Sequence, residues 1–362
     1  MRPLTMLALA TLISACTVDV APEPDLPPVQ LDLSREAPDT LSEWGFFTGP
    51  LVDQNPAEGV LAYEVAAALW ADHAGKGRFM ALPQGEAATM GPDEGWTFPL
   101  NTIFIKSFFF DLDRRDTQSG AARTIETRLL RLEEGGWKSY IYMWNDEQTE
   151  ATRTKVGGRV DVEHVDSDGQ QATQLYLVPN EEECKNCHEI DDEILPLGPT
   201  VAQLNKTIER DGLETNQLQW LFELGAIDDL STPPDQLVAL PDPFDESNGD
   251  LDKRARSYLH GNCGHCHREG GGGGRSGLRL VWYEDRERRF GVCKGPVAAG
   301  SGTGDHVADI VPGFPEQSIF IFRMGSTDPE VKMPELPNLL PDDAGIDLIT
   351  EWIEAMEPTG CF

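Results

Sequence analysis

Two five-residue strings in this sequence combine residue types that bind metal: Cys184-Lys185-Asn186-Cys187-His188 and Cys263-Gly264-His265-Cys266-His267. Positions i, i+3 and i+4 of a helix share one face, so each string directs two thiols and an imidazole to the same side. Thiols so placed add to the two vinyl groups of a porphyrin, and the neighbouring imidazole ligates its iron. This spacing is the attachment pattern of c-type haem. Two copies predict two covalently bound haem c groups, attached at Cys184, Cys187, Cys263 and Cys266, with His188 and His267 as proximal iron ligands. A tetrahedral zinc shared by the two Cys-x-x-Cys pairs is one alternative, but it leaves both histidines without a role. A thioredoxin-like redox pair is another, and it needs a βαβ setting that neither string has.

The sixth ligand decides what a haem iron does. A thioether raises the potential and suits electron transfer, whereas an open position admits peroxide or oxygen. Met333, followed by Pro334 in a loop ahead of the last helix, is expected to ligate the second haem. The first haem has no local distal residue, because no methionine occurs between Glu189 and Pro312. Met324 is the further metal ligand expected, with Met143, Met90, His260 and His306 as other candidates. A five-coordinate first haem stays open as well.

The ends of the chain and the remaining cysteines bear on where such chemistry would occur. The apolar run from Met6 to Ile13 is too short to span a bilayer and fits the core of a secretory signal. It closes on Leu12-Ile13-Ser14-Ala15-Cys16, which resembles a bacterial lipobox with Cys16 as the lipidated residue. Thr17 follows in place of an inner-membrane-retaining Asp, and the resemblance to enterobacterial lipoproteins implies an anchor that faces the periplasm from the outer membrane. Of seven cysteines, only Cys293 and Cys361 are left over, and parity in an oxidising compartment pairs them, with a free thiol as the alternative.

Charge narrows the partners. Lys and Arg number 29 against 62 Asp and Glu, a net charge of −33, which excludes nucleic acid and anionic membrane surfaces as ligands. A periplasmic redox protein or dehydrogenase with a basic docking patch is the partner that this surface suits, and the membrane is touched only through the lipid on Cys16.

These residues must be positioned by the elements between them. Residues 1–16 read as a lipoprotein signal peptide and 17–39 as a disordered tether. Residues 40–178 read as a β-rich domain, with strands at Phe98–Leu112, Thr124–Leu132, Trp137–Trp144, Arg159–Val165 and Thr173–Val178 and a helix at Tyr63–Ala71. Turns are expected at Pro92–Gly95, Glu134–Gly136 and Asp166–Gly169. Beyond Pro179 the pattern becomes helical. Residues 179–245 read as a first haem module with a capping box at Asn180 and Glu183 and helical stretches at Asn205–Arg210 and Gln217–Leu224. Residues 246–362 read as a second, cytochrome c-like module, with a helix through Leu251, Ala255, Tyr258 and Leu259 and a terminal helix through Ile346, Ile349, Trp352 and Ile353. Gly270–Gly274 reads as a flexible loop, since no Lys-Ser/Thr follows it. The expected fold class is therefore α+β and multidomain: a β-rich N-terminal domain followed by two mainly α-helical haem modules.

Longer strings carry a resemblance. Trp96-Thr97-Phe98-Pro99, Ile125-Glu126-Thr127-Arg128-Leu129-Leu130, Tyr142-Met143-Trp144-Asn145 and Tyr176-Leu177-Val178-Pro179-Asn180 lie in the first half. Arg254-Ala255-Arg256-Ser257-Tyr258-Leu259, Ile310-Val311-Pro312-Gly313 and Arg323-Met324 through Met333-Pro334-Glu335-Leu336 follow in the second. With these, nearly the whole mature chain resembles a family of periplasmic diheme c-type cytochromes, often lipoproteins. Departures fall at Asn101, where the resemblance expects Gly, and at His73, where it expects an aromatic residue. Met324 matches the family pattern; Met143 and His260 are not required by it. The resemblance implies two covalent haems and electron transfer between redox partners. An electron carrier is thus expected before an enzyme. The rival readings are a diheme cytochrome c peroxidase with an open first haem and the dedicated electron-acceptor subunit of a periplasmic dehydrogenase.

Overall fold

The structure, a computed structural model, describes residues 31–91, 95–116, 121–210, 212–297, 300–335 and 337–361. The signal segment, Cys16, most of the tether and the turn residues Pro92, Asp93 and Glu94 lie outside the described residues.

Alternating apolar residues build the N-terminal half. After a two-residue pair, β1 (Phe47–Thr48) with β2 (Asn55–Pro56), six antiparallel strands follow in chain order across one sheet. They are β3 (Val60–Ala62), β4 (Gly75–Ala81), β5 (Ile103–Asp111), β6 (Ala122–Glu133), β7 (Gly136–Trp144) and β8 (Ala151–Thr154). Period-two alternation sends Ile103 and Ile105 to one face with Leu129, Tyr140 and Tyr142, where Leu41, Trp44 and Phe46 cover them. Phe104 and Phe108 point to the other face, each into a separate apolar cluster. The hairpin of β9 (Gly158–Val165) and β10 (Gln171–Val178) packs Val162, Tyr176 and Val178 against Phe108 and Phe110. The five strands anticipated from their aromatic and β-branched residues are present with shifted ends. Asn101, the departure from the resemblance, takes a left-handed φ of 72°, a conformation that asparagine tolerates better than other side chains.

The segment Tyr63–Ala71 corrects one expectation, because it is not helical. Its three consecutive alanines favour helix, but its amides are taken by distant partners. Glu64 N donates to Gln217 Oε1 at 2.8 Å, Ala66 N to Gln203 O at 2.9 Å, Ala67 N to Gln203 Oε1 at 2.9 Å and Trp70 N to Asn262 Oδ1 at 2.6 Å. Tertiary hydrogen bonds override the local preference.

The second half differs more from its reading. It contains α1 (Lys185–His188), β11 (Glu189–Ile190), β12 (Glu193–Ile194), α2 (Val201–Leu204), β13 (Thr207–Arg210), β14 (Leu213–Asn216) and α3 (Gln217–Glu223). Then come α4 (Leu251–Asn262), α5 (Ile319–Met324) and α6 (Asp343–Glu354). Two mainly α-helical cytochrome c-like modules are therefore not what the chain forms. Among the described residues only α4 and α6 exceed seven residues, and two further hairpins, β11 with β12 and β13 with β14, are added to a β-rich whole. The physical reason is that the apolar periodicity comes in short runs broken by Gly and Pro, and runs of four to seven residues do not sustain a helix without tertiary support. Asn205–Arg210 shows it: expected as helix, it closes into β13 against β14.

Among the described residues, two large apolar clusters hold most of this half. Leu204, Leu218, Leu221 and Ile227 join Met80, Phe98, Phe104 and Leu130 of the sheet region in one cluster. The other core packs Ala255, Tyr258 and Leu259 of α4 against Ile349, Trp352 and Ile353 of α6, with Leu280, Phe290 and Ile310 between. Asp250 Oδ1 caps α4 through Lys253 N at 2.9 Å, and Asp342 Oδ1 caps α6 through Gly345 N at 3.2 Å. Gly345 lets the two helices cross closely, since a Cβ there would lie 2.1 Å from Tyr258 Oη. A disulfide between Cys293 and Cys361 ties the C-terminal tail to this core, so the parity pairing is formed.

Candidate haem-attachment site

The first Cys-x-x-Cys-His string is set by a reciprocal cap. Asn180 N donates to Glu183 Oε2 at 2.8 Å and Glu183 N donates to Asn180 Oδ1 at 3.0 Å, a capping box two residues ahead of α1. His188 N then donates to Cys184 O at 3.0 Å, closing one helical turn that carries both thiols and the imidazole. Cys184 packs against the cluster of Phe108, Ile141 and Tyr176. The His188 ring lies with Nδ1 2.8 Å from Leu195 O. A carbonyl only accepts, so Nδ1 carries the proton and Nε2 presents its lone pair. Burial pushes this imidazole down to about 4, which keeps it neutral at neutral pH, the form that binds metal.

The second string continues from the end of α4. His267 N donates to Cys263 O at 2.8 Å, and Leu280 N donates to His267 O at 2.8 Å. His267 Nδ1 is 3.1 Å from Ser276 Oγ, and that hydroxyl gives its one proton to Gly273 O at 2.7 Å. Ser276 Oγ must then accept from Nδ1, and His267 too is left with Nε2 free. Its titration is likewise pushed down to about 4, chiefly by burial. Gly273 is required where it stands: a Cβ there would lie 2.9 Å from His267 Nδ1 and 3.1 Å from Cys266 O.

The two strings meet. The ligating atoms of Cys187, His265 and Cys266 all lie within 4.8 Å of one another. Cys266 Sγ is 3.5 Å from Asn186 O, Asp191 N donates to Gly270 O at 3.1 Å, and Ile190 bridges Gly271. The glycine run, read as a flexible loop, in fact wraps the second string and touches the first. While the second cysteines converge, Cys184 and Cys263 pack into different cores. The Sγ–H of Cys266, followed after opposing burial by His265, pushes the Cys187 thiol down, and the Cys266 thiol moves up in answer. His265, Leu195 and Ser276 were not anticipated. His265 hides in the variable part of the motif, and the other two act only through tertiary contact.

Both strings fit a c-type haem by these observations. Each supplies two unbridged thiols and one imidazole whose Nδ1 is committed and whose Nε2 is not. A zinc shared by the two Cys-x-x-Cys pairs fits less well, since only one cysteine of each pair converges and the donor set stops at three.

The methionines fall as follows. Met324 packs against the same core as Cys263. Met333 N donates to Arg323 O at 3.0 Å and Arg323 Nε donates to Val331 O at 2.7 Å, so the loop carrying Met333 is clasped to the end of α5. Arg323 is within electrostatic range of His267, and Glu335 of Cys266, which puts that loop beside the second string. Met90 and Met143 pack into the two clusters on the sheet. His306 stacks edge-on against Phe322, and His260 is buried within α4 near His265. Among the described residues no helix is long and apolar enough to cross a membrane.

Comparison with protein-family models, with curated proteins and with solved structures gave no match.

Proposed function

We propose that the chain is an exported, lipid-anchored diheme c-type cytochrome that carries electrons between periplasmic redox partners. The observation that supports this reading most is that two Cys-x-x-Cys-His strings far apart in sequence fold against each other, each with its imidazole held by Nδ1. When bound, haem supplies the one-electron chemistry. The residues of the chain hold it: Cys184 and Cys187 with His188 at one position, Cys263 and Cys266 with His267 at the other. Leu195 O and Ser276 Oγ orient the two rings, as outer partners of metal-bound imidazoles do. Met333 is the proposed sixth ligand at the second position, with Met324 as the neighbouring thioether. Cys187 and Cys266, whose sulfur atoms lie within 4.8 Å of each other, would bring the two attachment points together, which would suit relay of an electron better than its storage.

The acidic surface steers the chain towards a basic partner and makes association dependent on ionic strength. The deciding experiment is mass determination and low-temperature absorption spectroscopy of the purified mature protein. Two haem adducts and low-spin signals are expected; colourless protein of unmodified mass refutes the proposal. A second reading rests on the Cys187, His265 and Cys266 cluster, which would hold a thiophilic metal between the strings. Stoichiometric zinc in place of iron by elemental analysis would favour it.

A further inference from the structure

A line of cations crosses the sheet beside the first string. Arg78 of β4 is paired in register with Lys106 of β5, and Lys106 with Arg128 of β6, so the three side chains stand side by side on one face. Lys76 is two residues from Arg78 on the same face. The line lies between the two apolar clusters that contain Phe104 and Phe108, on the face against which the first string packs. Lys106 is within electrostatic range of His188 and Arg128 of Cys184.

Around Lys106 the cations outnumber the carboxylates. Glu126 binds Arg128 through both oxygens, at 2.8 and 2.5 Å, and also accepts from Tyr176 Oη at 2.7 Å. Neither Lys106 Nζ nor the Arg78 guanidinium has a hydrogen bond or ion pair among the described residues; Lys106 is 4.9 Å from the Phe108 ring centre. Of the neighbouring carboxylates, Glu64 pairs with Lys206 at 2.9 Å, while Asp72 and Asp342 lie within electrostatic range of Lys76 and offset its charge. Burial, with Arg78 and Arg128 nearby, pushes the Lys106 ammonium well below its ordinary range, and burial pushes Lys76 down to about 7. In a chain of net charge −33, gathering Arg78, Lys106 and Arg128 around one carboxylate, Glu126, is costly unless an anion joins them.

We propose that Arg78, Lys106 and Arg128 form a carboxylate-binding site that takes the propionate groups of the porphyrin attached at Cys184, Cys187 and His188. The proposal rests on the cytochrome reading and assigns to the sheet a direct part in holding the first haem. Two propionates supply two negative charges, matching the two cations left over once Glu126 has neutralised Arg128. A free oxyanion such as phosphate has the same chemistry, and the test separates the two.

The experiment compares the two-haem protein with its Lys106→Met, Arg78→Gln and Lys106→Arg variants by redox potentiometry. A Cys184→Ala/Cys187→Ala variant assigns each potential to its haem. Lys106→Met is expected to make reduction of the first haem about tenfold less favourable, about 59 mV for one electron. The second haem should be unmoved, and Lys106→Arg should restore the wild-type value. Unchanged potentials in both Lys106→Met and Arg78→Gln, with both adducts present by mass, overturn the proposal. So does a first haem that loses its sixth ligand in Lys106→Met, which would make Lys106 an iron ligand. A wild-type first-haem potential that moves with added phosphate overturns it in favour of a free anion. If Lys106→Met does not mature, Arg78→Gln and the phosphate titration decide. Wild-type protein without adducts would instead defeat the cytochrome reading itself, and mass separates that failure from the others.

Discussion

His267 Nδ1 faces Ser276 Oγ at 3.1 Å, and Ser276 has no second proton with which to donate back, because its one proton goes to Gly273 O at 2.7 Å. The direction of this hydrogen bond is therefore fixed, and with it the ring nitrogen offered to a metal. An acceptor at Nδ1 raises the basicity of the imidazole. On the proposed diheme reading, Ser276→Ala should weaken that donation and make reduction of the second haem up to about tenfold more favourable, about 59 mV. Potentiometry of the variant checks this, and an unchanged second potential would show that the hydroxyl does not tune the iron.

Gly273 has no room for a side chain. With His267 Nδ1 2.9 Å from the position of a Cβ and backbone on the other side, Gly273→Ala must displace the imidazole or the Cys266 turn. The expected outcome is loss of the second haem adduct with retention of the first. Mass spectrometry of the variant distinguishes one adduct from two.

The Cys293–Cys361 disulfide closes a loop of sequence separation 68. Loop-closure entropy for that length corresponds to about 4 kcal/mol, and measured effects generally fall below such values. Cys361→Ser should lower unfolding stability by about 2–4 kcal/mol in denaturant titration. The same loss is expected in wild-type protein treated with reductant, and no further loss in reduced Cys361→Ser.

Acid should destabilise the chain through His260. This ring is buried in α4, and burial, aided by Arg268 and His265, pushes its titration down to about 3. The unfolded chain takes up a proton near pH 6.5 while the folded chain does not, so unfolding binds protons between these values. The stabilisation is complete above pH 6.5 and is lost as pH falls towards 3, with a limiting slope of about 1.4 kcal/mol per pH unit. His260→Gln should flatten the stability profile between pH 6.5 and 4.5, measured by urea unfolding. An equally steep profile in the variant would place the effect on other groups.

What could be read from the sequence was local. Five strands between residues 98 and 178 follow from their aromatic and β-branched residues, the cap at Asn180 and Glu183 from its spacing, and the haem expectation from two short strings. What escaped depends on register and on long-range contact. Arg78, Lys106 and Arg128 become neighbours only through strand pairing. Cys187 and Cys266 approach because a glycine run bends back onto Asp191. The helix expected at Tyr63–Ala71 failed because Gln203, Gln217 and Asn262 offer its amides better partners than the helix would. The helical modules failed because their periodic runs are too short to stand without the sheet.

That stretch, Tyr63–Ala71, has a practical meaning for anyone wishing to obtain by itself the portion that carries the two Cys-x-x-Cys-His strings. It bonds to α3, α2 and the end of α4 in turn, while Leu204, Leu218 and Leu221 are roofed by residues of the sheet. A gene fragment starting at Pro179 would encode a polypeptide with three bare leucines and several unanswered glutamine and asparagine amides. Such a fragment should precipitate, and separate expression of the two halves should yield soluble material only when both are made together.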